Sequence, residues 1–385
     1  MLFYDITDKR IKFYYNDKYL GFIDIPKFTS SLFKEIYLKI CIILASTCYP
    51  NYTKISLPTS KVPFNFSDLN LLNTYRRALS YKPMLTDNNK LTNKIDTFLG
   101  KIEKKHDKHI LFFSGGKESF YKLFYLLELE KVKPEDILII YINKWNNTFH
   151  REAKTLYSLS EMFGELNIKV IDISTSLPSM KTRTLEYVLM FIASLEHILL
   201  FNGGCNIHWG FSKISWEKQE TYIDSYSETI ECEQIIIDYL KNFEIKINPF
   251  KRLEIKEHLL YDYSLFKKNN VIKKMTSCIV SDGLASLSRG RFKKDYPIIY
   301  NIVDENTCGY CSKCILKTIN YILDKDVTFL KENKEEIKNY IAKSITNKLV
   351  PIQKQNKEFQ FFNYDIHFLS YLYSAFSKVC EKINK

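Results

Sequence analysis

The sequence predicts an α/β protein built on a doubly wound parallel sheet, preceded by an α+β unit and followed by a helical tail. Three observations carry this expectation. From residue 109 onward, short β-branched runs alternate with helical stretches. Before residue 105 the pattern is a hairpin followed by helices, and beyond Leu316 it is helical again. The chain is 385 residues long and 45% apolar, which leaves room for two or three domains with a substantial core. The division that follows is an accessory unit over 1–105, a central α/β domain over 106–320 and an extension over 321–385.

In the first unit, residues 10–15 and 19–25 read as paired strands, with Asn16-Asp17 as turn residues. Residues 29–48 give a long helix with apolar positions at Leu32, Ile36, Ile40 and Ile43, ended by Pro50. Pro58 and Pro63 mark a connection, and Ser67 is the expected N-cap of a helix running to Ser80. A polar stretch at 86–94 then leads into a lysine-rich helix ending near His109. In the central domain, residues 110–113 form a first strand, followed by a glycine-containing loop and a helix through Glu130. Strands at 136–142, 169–173 and 206–211 alternate with helices at 150–164 and 181–200. In the tail, Pro351 is a break.

Composition narrows the class. The best candidates for a membrane span, 36–45 and 187–200, are short or interrupted by Lys39 and Glu196. The first five residues carry neither a basic nor an apolar signal region, so the expectation is a soluble, cytoplasmic protein with no membrane partner. The formal charge of +12 suits an anionic partner, nucleic acid or nucleotide phosphate, or is background composition on solvated faces. Nine cysteines in such a compartment are expected to stay reduced.

Two motifs carry chemistry. In Ser114-Gly115-Gly116-Lys117-Glu118-Ser119 the glycines let backbone N–H groups approach a phosphate, and a helix N-terminus follows. Ser114, Ser119 and Lys117 add hydroxyl and ammonium donors. An ordinary Gly-Gly turn is the alternative, and the spacing is not that of a Walker A loop. The second motif is Cys308-x-x-Cys311-x-x-Cys314, which brings three thiolates within reach of one soft ion. Zinc there would be structural, with folding coupled to the metal, and an iron cluster is the chemical competitor. Arg183 stands at a helix N-terminus, where a cation is misplaced unless an anion sits beside it.

The loop after the first strand resembles the Ser-Gly-Gly-x-Asp-Ser signature of the PP-loop ATP pyrophosphatases, with Glu118 where the family has Asp. Further matches narrow the resemblance to the 7-cyano-7-deazaguanine synthases. These are Tyr141-Ile142-Asn143 with His150-x-Glu152, Thr182-Arg183, and Asn248-Pro249-Phe250 before Glu254-Ile255-Lys256-Glu257. Ser277-Cys278 and Cys308-Gly309-x-Cys311-x-x-Cys314-x-Leu316 complete the set, in family order, over residues 108–320. The resemblance implies a PP-loop fold, ATP and Mg2+ as cofactors, and nucleotide contacts from Ser114 through Ser119, Tyr141 and Arg183. It implies that Ser114, Lys117, Glu118 and Arg183 act in catalysis, and that Cys278 joins Cys308, Cys311 and Cys314 on structural Zn2+. Two departures stand out. The segment after Gly210-Phe211 lacks the family's Tyr-Pro-Asp, and the 29 residues between Cys278 and Cys308 form a longer, basic loop with Arg289, Arg291, Lys293 and Lys294.

The implied reaction is adenylation of a deazaguanine carboxylate with release of pyrophosphate, then amide formation with an amine. The flanking units resemble those of extended relatives in bacterial antiviral defence clusters, which points to a protein acceptor. A housekeeping nitrile-forming synthase using ammonia is one alternative. A sulfur-transferring tRNA enzyme using Cys205 is another, and a non-catalytic nucleotide-binding adaptor is the third.

Overall fold

The computed structural model describes residues 2–49, 54–55, 62–84, 91, 97–98, 101–144, 156, 159, 161, 166–177, 186–212, 226–253, 282–303, 307–345 and 366–384. Strands β1 (Leu2–Ile6), β2 (Arg10–Tyr15) and β3 (Lys18–Asp24) form an antiparallel meander. Asn16 and Asp17 fill its two-residue turn with φ of +44° and +66°, the left-handed pair that a type I′ turn requires. Leu2, Tyr4, Ile11, Phe13 and Ile23 alternate onto one face and are buried in the core that includes helix α1 (Ser31–Thr47). The first strand was not expected from the sequence. Its five residues, Leu-Phe-Tyr-Asp-Ile, are too few and too uniformly apolar at the start to show a period of two.

Helix α2 (Phe66–Ala78) is capped two residues earlier than expected. Asn65, rather than Ser67, caps it, because its side chain accepts from the Asp68 N–H while the Asp68 carboxylate accepts from the Asn65 N–H. The same carboxylate accepts from the Tyr239 hydroxyl at 2.6 Å and pairs with the buried Lys39 at 3.2 Å. A polar knot thus joins α1, α2 and a helix of the central domain. Among the described residues before His109, 97–98 and 101–108, the expected lysine-rich helix does not form. Residues 101–108 form an irregular connection ending in a turn. Phe98 and Ile102 pack against the core that includes α1, and the Phe98 N–H donates to the Phe243 carbonyl at 3.0 Å rather than to a helical turn.

From β4 (His109–Phe112) the expected α3 (Lys117–Phe124), β5 (Ile137–Lys144), β6 (Asn167–Ile173), α4 (Glu186–Asn202) and β7 (Asn206–Ser212) follow. Helix α5 (Ile230–Lys241) and strand β8 (Lys251–Leu253) were not expected from the sequence, and most of the helix expected over 150–164 lies outside the described residues. A π turn over Tyr125–Leu129 carries α3 on to Glu130. The five strands are parallel, in the order β6-β5-β4-β7-β8. Successive side chains of β4 serve opposite faces. Ile110 and Phe112 join the core that contains α4, whereas Leu111 and Phe113 join the core that contains α3.

The accessory unit shares the first of these cores. One apolar cluster runs from Leu2 through α1 to Ile247 beyond α5. Glu196 of α4 caps the start of α1, accepting from the N–H groups of Thr29 and Ser30 at 3.0 and 2.9 Å and from the Thr29 hydroxyl. The third core belongs to α6 (Asp282–Asp295), α7 (Pro297–Ile302), α8 (Ser312–Leu323), α9 (Val327–Glu332), α10 (Lys334–Ile345) and α11 (Ile366–Asn384). The expected basic loop is therefore helical where described: Arg289, Arg291, Lys293 and Lys294 lie on α6, whose Phe292 is anchored in that core. Among the described residues no helix is long and apolar enough to cross a membrane.

Candidate functional site

The strand order reverses between β4 and β7, and in open α/β sheets the crevice outside the carboxyl ends of the strands at such a reversal is where ligands bind. The Ser114–Ser119 loop leaves β4 at that place. Pairing continues one residue past the strand, with the Phe113 N–H donating to the Ile140 carbonyl at 3.0 Å. The chain then turns sharply: Gly115 has φ of +72°, and Gly116 is the extended N-cap of α3. A left-handed residue ahead of a helix start gathers backbone N–H groups around a concavity that suits an anion, and the helix dipole adds to it.

The two serines have different surroundings. Ser114 is exposed, and its Oγ accepts from the Gly116 N–H at 3.4 Å. Ser119 is 2% exposed. Its hydroxyl donates to the Gly116 carbonyl at 2.9 Å and accepts from the Ser114 N–H at 3.4 Å. Ser119 therefore latches the loop from below, while Ser114 stands at its surface. Glu118, in the first helical turn, is buried against β7 at Gly210. Tyr141 is buried beside the head of the loop, because Phe112 pairs with Ile140. The Lys117 side chain, His150, Glu152, Arg183 and Cys278 lie outside the described residues.

Aromatic rings pack at the same two strands. Phe112, the last residue of β4, stacks on Trp209 of β7 at 3.8 Å between centroids. Tyr187 and Phe250 pack on the other sides of the indole, at 5.8 and 5.5 Å. On the opposite face, under α3, the rings of His109 and His208 stack, and His109 Nδ1 lies 3.0 Å from His208 Nε2. Burial pushes the His208 pKa down to about 2, helped by His109, Lys122 and Lys251, and burial lowers that of His109 as well. This pair was not singled out from the sequence. The signal was the period of two along β7, which puts His208 and Gly210 on one face.

The cysteine cluster forms as expected. Cys308, Cys311 and Cys314 are buried, with their sulfurs all within 4.8 Å of one another. A tetrahedral zinc ion with bonds of about 2.3 Å holds its sulfurs about 3.8 Å apart, so the three fit one ion. Backbone N–H groups already point at the sulfurs, from Cys311 to Cys308 at 3.5 Å and from Cys314 to Cys311 at 3.4 Å. Gly309 has φ of +82°, a Cβ there would fall inside the Phe292 ring, and its carbonyl accepts from the Tyr340 hydroxyl at 2.8 Å. The three cysteines are thus the hub on which α6, α8 and α10 meet. Cys205, the candidate thiol for sulfur transfer, is 1% exposed behind Gly203 and Gly204.

No protein-family model matches the chain, and no curated protein or solved structure matches it significantly.

Proposed function

We propose that the chain is a PP-loop ligase that uses ATP to adenylate a deazapurine carboxylate and passes the acyl group to an amine, on ammonia or on a partner protein. The observation that carries this reading is the position of the Ser114–Ser119 loop, at the carboxyl end of β4, beside the strand-order reversal, opening directly into α3. In this reading a carboxylate oxygen attacks the α-phosphorus of ATP, the α–β bridge breaks, and pyrophosphate leaves. The amine then adds to the acyl carbon and AMP departs.

The loop's contribution is charge stabilisation. Backbone N–H groups at the start of α3, Ser114 Oγ and the Lys117 ammonium are assigned to the departing pyrophosphate, so no covalent nucleophile is required. Arg183 is assigned to the phosphates and Tyr141 to the nucleotide pocket. Glu118 is the loop's one carboxylate, which suits a magnesium ion that draws its remaining ligands from phosphate and water. Zinc on Cys308, Cys311 and Cys314, with Cys278 as the fourth ligand, is structural and takes no step in the reaction. The accessory unit and the C-terminal helices favour a protein acceptor, as in antiviral defence relatives.

The test is incubation of the protein with α-labelled ATP and 7-carboxy-7-deazaguanine, with and without ammonia. AMP and pyrophosphate formed only with the carboxylate is the expected result. ADP formation, or no turnover and no pyrophosphate–ATP exchange, overturns the reading. Ammonia dependence separates small-molecule synthesis from transfer to a protein.

A further inference from the structure

We propose that the outer face of the N-terminal three-stranded sheet binds single-stranded nucleic acid by stacking bases on its aromatic rings. Antiparallel sheets with one face on a core normally turn polar residues outward. Here Phe3, Tyr14 and Phe22 point away from the buried Leu2, Tyr4, Phe13 and Ile23 and keep part of each ring in solvent, and Tyr19 is 50% exposed. The register groups them: Phe3 pairs with Tyr14, Tyr14 with Tyr19, and Lys12 with Phe22. Phe3 and Tyr14 stack at 5.1 Å with planes 9° apart, and Tyr19 meets Tyr14 edge-on at 5.6 Å. The Arg10 guanidinium lies 4.0 Å over the Phe22 ring. The result is a row of planar groups on one rigid surface, the arrangement on which unpaired bases stack.

Each edge of the sheet is engaged at one end. On β1 the Leu2 N–H donates to the Lys54 carbonyl and Leu2 bridges to Ile55. On β3 Ile23 bridges to Thr175, the Asp24 N–H donates to Ser174 and the Ser176 N–H donates to Phe22. The aromatic row lies on the face, apart from these edge contacts. Charge selects a polyanion. Residues 1–84 hold twelve Lys and Arg against six Asp and Glu, half of the chain's net +12 in under a quarter of its length. On the face itself Arg10 pairs with Asp24 at 2.9 Å, and Lys12 stands opposite Asp5. Stacking therefore outweighs phosphate contact, which favours unpaired bases over a duplex. The inference does not depend on the ATP chemistry proposed above.

The test is fluorescence anisotropy at physiological salt with the full chain. The probes are a labelled thymidine oligomer of about 12 nucleotides, an RNA of equal length and a blunt duplex. The expected result is saturable binding to the single strands and at least tenfold weaker binding to the duplex. Tyr14→Ala with Tyr19→Ala should lose about 25-fold or more in affinity, at the lower end of what two stacked bases contribute. Should that double variant unfold, Tyr19→Ser alone, at a side chain already half in solvent, should lose about fivefold while Tyr19→Trp retains binding. No single-strand binding, equal binding to the duplex, or affinities unchanged by these substitutions overturns the proposal. So does self-association of the chain that vanishes in the same variants, which would make the face a contact between copies.

Discussion

Gly210 of β7 and Glu118 of α3 are packed so closely that a Cβ at position 210 would lie 2.9 Å from the Cβ of Glu118. The missing side chain on one strand residue thus sets how near the first turn of α3 comes to the sheet. Gly210 owes its place to that approach rather than to backbone freedom. Gly210→Ala should push the first turn of α3 off β7, with a stability loss of about 1–3 kcal/mol from overpacking. Since Ser114 and Gly116 ride on the same turn, ATP affinity should fall about tenfold, a change of about 1.4 kcal/mol. Urea unfolding and calorimetric ATP titration of the same variant measure the two effects.

The two serines of the loop should separate in a paired experiment. Ser119→Ala removes two internal bonds, each contributing about 0.5–1.5 kcal/mol, so it should cost about 1–3 kcal/mol of stability, while the Gly116 carbonyl keeps its bond from the Phe120 N–H. Ser114→Ala, at an exposed position, should leave the unfolding midpoint in place and lower the rate of pyrophosphate–ATP exchange. Equal stability losses in both variants would contradict the latch described for Ser119.

Metal removal should act at a distance from the loop. Gly309, between two of the cysteines, is roofed by Phe292 of α6 and bonded by Tyr340 of α10. Chelation, or Cys311→Ser, should therefore release zinc and raise amide hydrogen exchange in α6, α8 and α10 first. Exchange in β4 and β5 should stay slow. Metal analysis combined with hydrogen-exchange mass spectrometry reads both, and uniform loosening of the whole chain would contradict the hub.

The buried histidines predict acid sensitivity with a definite sign. Both have folded-state pKa values below the ordinary 6.5, so the unfolded chain binds protons more readily and stability falls as pH drops below about 6.5. His208, pushed down to about 2, alone costs about 2 kcal/mol between pH 6.5 and pH 5. The loss should continue as pH falls further and be absent above pH 7. Replacing His208 with Leu should flatten that part of the profile in urea titrations at pH 5 and pH 7.5.

Much of this architecture is written locally. The turn at Asn16-Asp17, the long apolar run of α1, the β-branched runs of β5 and β6 and the Gly-Gly step into α3 each depend on residues within a few positions. Cys308, Cys311 and Cys314 belong with them, because two-residue spacers suffice to bring three sulfurs around one point. Other features resisted reading for equally physical reasons. The lysine-rich stretch before His109 has helix-favouring residues and apolar ones at helical spacing, but the Phe98 N–H is taken by the Phe243 carbonyl, a contact 145 residues along the chain that no local pattern shows. Asn65 displaces Ser67 as a cap because Asp68 is already held by Lys39 and Tyr239, one a helix away and the other 171 residues along the chain.

The sequence by itself determined most of the helices and strands of the central sheet, where the Gly-Gly step between β4 and α3 lies and that three cysteines share a site. Only the tertiary structure decided the order of the strands, and with it that the loop stands at the reversal between β4 and β7. It also decided that the accessory unit shares a core with α4, that Ser119 faces inward and Ser114 outward, and that the aromatic row on β1–β3 lies on the open face. Each of these depends on contacts between residues far apart in the chain. A local pattern specifies that a face is apolar or aromatic, but not which distant surface covers it or leaves it open.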